Sequence, residues 1–192
     1  INFVTLGIMI GLAFLSKYAA VYFLICFFIY LLLDKEIRNI AINNYFKVIL
    51  CFLSILIIVL PNILWNINNG WVTFQHTSDN ANFRNIDINI FRGFSFLLIQ
   101  ILMIGPFLFI GALLNYKYFN FDSNNRFLLI FSLPIFLIVF IEAVIVRANA
   151  NWAAPALITF FLFLFINIFK YRNIYLILNL FFNTIFCLVF FV

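Results

Sequence analysis

Apolar residues run along this chain in long blocks separated by short polar punctuation. The blocks are 1–15, 18–33, 47–64, 92–114, 127–146, 153–169 and 174–192. A helix rises 1.5 Å per residue, so about 20 apolar residues cross the ~30 Å hydrocarbon core of a bilayer. The pattern predicts an all-α, polytopic transmembrane helical bundle of about seven spans, forming a single transmembrane domain over 1–192. The one long segment outside the blocks is 65–92, read as an extramembrane loop.

Residues 3–33 are too long for one upright helix, which would measure roughly 46 Å. They also carry Lys17, which would then lie near the bilayer centre. A break at Ser16-Lys17-Tyr18 is the better reading, giving two short helices folded back on each other. It puts the ammonium where protein or water can solvate it. Gly7 and Gly11 form a GxxxG spacing that lets a neighbouring helix approach closely.

Composition supports a membrane solvent. The chain has 192 residues, 67% hydrophobic and 9% charged. A soluble domain carries about 25% charged residues. Cys26, Cys51 and Cys187 fall inside apolar blocks at spacings that suggest no metal site. Ile1 begins the sequence and Val192 ends it within an apolar run, which reads as a piece of a longer protein.

The net charge of +5 marks orientation rather than nucleic acid. Lys35, Arg38, Lys47, Lys117, Arg126, Lys170 and Arg172 lie in 34–47, 115–126 and 170–173, whereas the alternate segments hold Arg84, Arg92 and Arg147. The positive-inside rule places the first set in the cytoplasm. The segments 65–92 and 147–152 then face outward, and the turn at Lys17 falls on that same side.

Three outward clusters hold the candidate chemistry. They are Ser16-Lys17-Tyr18; Pro61 to Asn66 with Gly70 to His76 and Arg84; and Glu142 with Arg147 to Pro155. Every Trp and the one His sit among them. Lys17, Arg84 and Arg147 suit an anionic head group, and aromatic rings beside them suit a sugar face. Each has a plainer reading as well. Trp65, Trp71 and Trp152 mark the membrane boundary, where Trp is enriched; His76 reads first as a hydrogen-bonded surface residue, and Arg84 equally as a solvated loop charge. Glu142 can pair with Arg147 or Lys17, or meet substrate. Asp79 and Asp87 have no partner carboxylate at a diagnostic spacing.

These clusters resemble a known family. Gly11-Leu12-Ala13-Phe14-Leu15-Ser16-Lys17-Tyr18 resembles the GLAxLSKY helix-turn of bacterial family 39-type glycosyltransferases. These are relatives of protein mannosyltransferases and of the aminoarabinose transferases that modify lipid A. Pro61 to His76 resembles their PxxxWNxxxGWxTFxH segment, and Asn151 to Pro155 their NWxAP segment. The three occur in the family's order.

The resemblance implies a GT-C-type membrane fold in the bacterial inner membrane. It implies transfer of a sugar from a polyprenyl-phosphate donor to a lipid or glycan acceptor on the periplasmic side. Substrate-binding residues would be Lys17, Tyr18, Trp65, Asn66, Trp71, His76, Arg84, Arg147, Asn151 and Trp152, with Lys17, Trp65, His76 and Trp152 converging on one outward cavity. The family's acidic catalytic loop is expected upstream of Ile1, so no catalytic residue is nominated. The sequence calls for no cofactor and no nucleic acid, and leaves a divalent metal open. A transporter or lipid flippase is the alternative, since paired polar groups such as Lys17 and Glu142 also mark broken transport helices. A non-catalytic membrane subunit is the third reading.

Overall fold

The computed structural model describes residues 2–81, 86–146, 148–169 and 173–191. It is helical, without strands among the described residues. The chain divides into two compact units, Ile1–Asn85 and Ile86–Val192.

The first unit contains α1 (Phe3–Ser16), α2 (Val21–Leu33), α3 (Lys35–Asn43), α4 (Tyr45–Asn68) and α5 (Val72–Ala81). Asn2 caps α1, its Oδ1 accepting the amide of Val4. Helix α1 stops at Ser16, where Lys17 turns extended before a 3-10 turn at Tyr18–Ala20. The expected break therefore exists. Asp34 ends α2 and caps α3, accepting from the amides of Glu36 and Ile37.

Helices α1 and α4 run parallel and touch backbone to backbone. A Cβ on Gly7 would collide with the carbonyl of Cys51, and one on Gly11 would stand 2.8 Å from Ile58 Cβ. The small residues are what allow the contact, as the GxxxG spacing predicts. Parallel packing carries the end of α1 to the end of α4.

The second unit contains α6 (Ile90–Ile104), α7 (Pro106–Asn115), α8 (Ser123–Ile130), α9 (Leu133–Ile145), α10 (Ala154–Phe169) and α11 (Asn173–Phe191), with 3-10 turns at Tyr116–Tyr118 and Ala150–Ala153. Helices α6 and α9 run antiparallel. The amides of Asp87 and Asn89 donate to the carbonyls of Ile145 and Val144 at 3.1 and 2.8 Å, so the start of α6 lies beside the end of α9. Around the far ends of these helices, Ile104, Leu108, Leu128, Phe163, Leu164 and Ile168 form a buried core.

Among the described residues, three helical stretches are long and apolar enough to cross a membrane: Tyr45–Asn68, Ser123–Ile145 and Ala150–Phe169. Phe3–Ser16, Tyr18–Leu33 and Asn173–Val189 are apolar but shorter. The stretch 92–114, expected as one span, is instead broken, with its two arms bent by 94°. Gly105 makes the break, at φ +113°, a conformation closed to other residues, and Pro106 starts the next helix. Asn179 of α11 staples it. Its Nδ2 donates to the Ile104 carbonyl at 3.0 Å, and its Oδ1 accepts the Leu108 amide at 3.3 Å. Backbone groups freed inside a bilayer must find such partners, because lipid offers none. Part of the expected 65–92 loop is helical too, in the last turn of α4, in α5 and at the start of α6.

Candidate functional site

The site is built where α1 and α4 end together. The Tyr18 hydroxyl reaches Thr73 Oγ1 at 3.0 Å and Asn62 Oδ1 at 3.2 Å. Thr73 passes its own proton on to Asn66 Oδ1. Asn66 in turn donates from Nδ2 to the carbonyl of Asn62 at 2.9 Å. Asn66 is completely buried, so its amide depends on these partners. Rings sandwich the relay: Phe74 stacks on Tyr18 with centroids 5.3 Å apart, and Phe14 meets it edge-on at 5.2 Å.

The corner between α4 and α5 presents Thr73 to this relay. Gly70 and Trp71 both take positive φ, +66° and +58°. The Trp71 amide donates to the Asn66 carbonyl at 2.8 Å, and its carbonyl accepts from Phe74 and Gln75 to begin α5. A left-handed residue other than glycine costs roughly 1–2 kcal/mol. Here the corner holds the Trp71 ring edge-on to Phe74, centroids 5.3 Å apart, and 43% exposed.

Lys17 precedes Tyr18 and is exposed. Its backbone is fixed at both ends, the amide donating to Ala13 and the carbonyl accepting from Ala20. Its ammonium makes no hydrogen bond or ion pair with a described residue. The result is a free cation on a fixed backbone, next to a locked tyrosine. Such a group can bind an anion as a point charge.

Of the sequence candidates, Lys17, Tyr18, Asn66 and Trp71 therefore meet at one end of the first unit. His76 lies on α5, one turn beyond Thr73, and is exposed; Trp65 is exposed on the last turns of α4. Asn62, Thr73, Phe14 and Phe74 complete the cluster, although reasoning from charge and tryptophan did not single them out as site residues. Their signal was present: Asn62 and Asn66 lie four apart on one helix face.

Asn151 and Trp152 belong to the second unit, in the 3-10 turn before α10. Asn151 is exposed and Trp152 half-buried. Gln100 of α6 holds this turn, donating from Nε2 to the Ala150 carbonyl at 3.0 Å. It is 3% exposed and was not anticipated. Glu142 is half-buried on the last turns of α9 and pairs with no described cation. Asp87 forms an ion pair with Arg92 at 3.5 Å. Arg84 and Arg147 lie outside the described residues. Among the described residues, no three His, Cys, Asp or Glu side chains gather in a metal-binding group.

Comparison with known proteins joins this geometry to a family. Residues 2–65, which carry α1 to the end of the Asn62 turn, match the dolichyl-phosphate-mannose-protein mannosyltransferases. Over 154 residues the chain is 34% identical to a lipid A galacturonosyltransferase of Rhizobium johnstonii, a match covering 79% of this chain and 32% of that protein. The chain thus spans about a third of that relative's length. No solved structure matches it. Residues 2–65 of this multi-pass membrane chain, with α1, the Lys17 turn and most of α4, are therefore similar to the dolichyl-phosphate-mannose-protein mannosyltransferases.

Proposed function

We propose that this chain is part of a membrane glycosyltransferase. It moves a sugar from a polyprenyl-phosphate-linked donor to a lipid or glycan acceptor on the periplasmic face of the bacterial inner membrane. One observation carries the reading: Lys17, whose ammonium pairs with no described residue, directly precedes Tyr18 of the Tyr18–Thr73–Asn66 relay, at the end of α1 within the family-matched stretch.

The chemistry follows from charge. As the glycosidic bond to phosphate breaks, negative charge grows on the departing phosphate oxygens. A preorganised cation stabilises that charge more than it stabilises the intact donor. Lys17 supplies the cation. The Tyr18 relay is a positioning device, since it fixes the backbone that carries Lys17. Exposed Trp65 and Trp71 offer ring faces to a sugar. His76, Arg84, Arg147, Asn151 and Trp152 complete the proposed binding set. The general base that takes the acceptor proton is assigned to no residue of this chain.

A second reading, a transporter or lipid flippase, draws support from the 94° break at Gly105, because discontinuous helices line transport sites. The two readings separate in one experiment. The full-length protein is reconstituted in vesicles with a polyprenyl-phosphate sugar, radiolabelled in the sugar, and a lipid A acceptor. Label arriving on the acceptor supports the transferase. Label crossing the bilayer while still on its donor, with none transferred, supports the flippase and rejects the proposal.

A further inference from the structure

The opposite end of the first unit holds a feature that sugar transfer does not use. A cavity of about 220 Å³ lies between α1, α2, α3 and α4, and every residue lining it is apolar. Leu6 and Ile10 of α1, Phe27 of α2, Ile37 and Ile40 of α3 and Phe52 of α4 are among its walls. Such a cavity rejects water, and left empty it forfeits dispersion contacts along its whole lining. In a bilayer, the apolar filler at hand is an acyl chain.

The rim has chemistry of its own. Helix α3 is amphipathic: Ile37, Ile40 and Ala41 line the cavity, while Lys35, Glu36, Asn39 and Asn43 are exposed. A short helix of this kind between two apolar helices lies in the membrane interface. Arg38 is occupied, donating from Nη1 to the carbonyls of Leu31 and Leu32 at 3.3 and 3.0 Å. Asp34 is 6% exposed and spends its carboxylate on capping α3. Lys35, two residues before Ile37, and Lys47, next to the lining residue Val48, are exposed and pair with no described residue. Two free ammonium groups therefore flank an apolar slot, on the face that the basic residues mark as cytoplasmic.

We propose that this cavity binds an anionic membrane phospholipid, with one acyl chain between the four helices and its phosphate against Lys35 and Lys47. Anionic lipids are concentrated in the cytoplasmic leaflet, and a lysine near that surface favours them.

The test places a reporter in the wall. The Phe27→Trp chain is reconstituted in phosphatidylcholine, and its fluorescence is measured above the signal of the parent's Trp65, Trp71 and Trp152. Quenching by phosphatidylglycerol with a brominated acyl chain is compared with quenching by the phosphatidylcholine equivalent. The expected result is association about five-fold or more tighter for phosphatidylglycerol, the preference one well-placed lysine confers. Phe28→Trp, on the exposed side of α2, shows no such preference. The double variant Lys35→Gln/Lys47→Gln abolishes it at position 27. Equal quenching by the two lipids overturns the proposal, as does a preference that survives loss of both lysines. Displacement of the brominated lipid by polyprenyl phosphate also overturns it, since the slot would then belong to that lipid. Leu24→Trp serves as reporter should Phe27→Trp fail to fold.

Discussion

The Tyr18 hydroxyl lies 3.0 Å from Thr73 Oγ1, although 55 residues separate them in sequence. That contact ties the turn after α1 to the first turn of α5, and Asn62 and Asn66 bring in the end of α4. Two of the three recognised motifs thus form one structure, with Lys17 at its edge.

Removing the hydroxyl alone isolates the relay from the rings. Tyr18→Phe keeps the stacking with Phe74 and Phe14 but withdraws the proton that Thr73 accepts. The expected loss of stability is about 1–3 kcal/mol, the range for a sheltered polar group left unsatisfied. Thermal unfolding in detergent measures it. An unchanged midpoint would mean that the relay does not hold the turn.

Two glycines separate packing from backbone strain. Gly7→Ala places a methyl on the Cys51 carbonyl and should cost about 1–3 kcal/mol by forcing α1 from α4. Gly70→Ala meets nothing within 4 Å, so only its φ of +66° resists, at roughly 1–2 kcal/mol. Valine at each site sharpens the contrast: it worsens the Gly7 clash and leaves the cost at Gly70 one of backbone strain. Unfolding midpoints of the four variants give the comparison.

Asn179→Leu keeps the volume and removes the staple. The Leu108 amide loses its side-chain partner, at roughly 1–3 kcal/mol for a group left unsatisfied, while the Ile104 carbonyl keeps the longer 3.4 Å bond from Asn183 Nδ2. Hydrogen exchange at the Leu108 amide should quicken, while amides in the first unit remain protected. Uniform behaviour across both units would contradict a local staple.

The Asp87–Arg92 pair should matter little. Asp87 is 77% exposed and the contact is 3.5 Å, so Asp87→Asn should change stability by less than about 1 kcal/mol. A larger loss would mean that the segment before α6 depends on this charge rather than on its bonds to Val144 and Ile145.

Much of this was legible in the sequence, for identifiable reasons. Lys17 inside an apolar run forced a break, and Gly7 with Gly11 foretold a close helix. Both are local signals. The break at Gly105 was not foreseen, because nearby residues read as one continuous apolar block and its staple, Asn179, is distant in sequence. Helix α5 was missed because Val72–Ala81 has weak periodicity and several poor helix formers. Its first turn is secured by the Trp71 corner and by Tyr18. Gln100 looked like a stray polar residue in a span, and only the fold brings the Ala150 carbonyl to it.

The most direct test of the account is the rate of sugar transfer by full-length protein carrying Lys17→Ala, measured beside Lys17→Arg with a polyprenyl-phosphate donor. If Lys17 stabilises the departing phosphate, alanine lowers kcat by about 100-fold or more, as loss of one transition-state partner does, and arginine restores part of it. Transfer at the parental rate in Lys17→Ala would contradict the account.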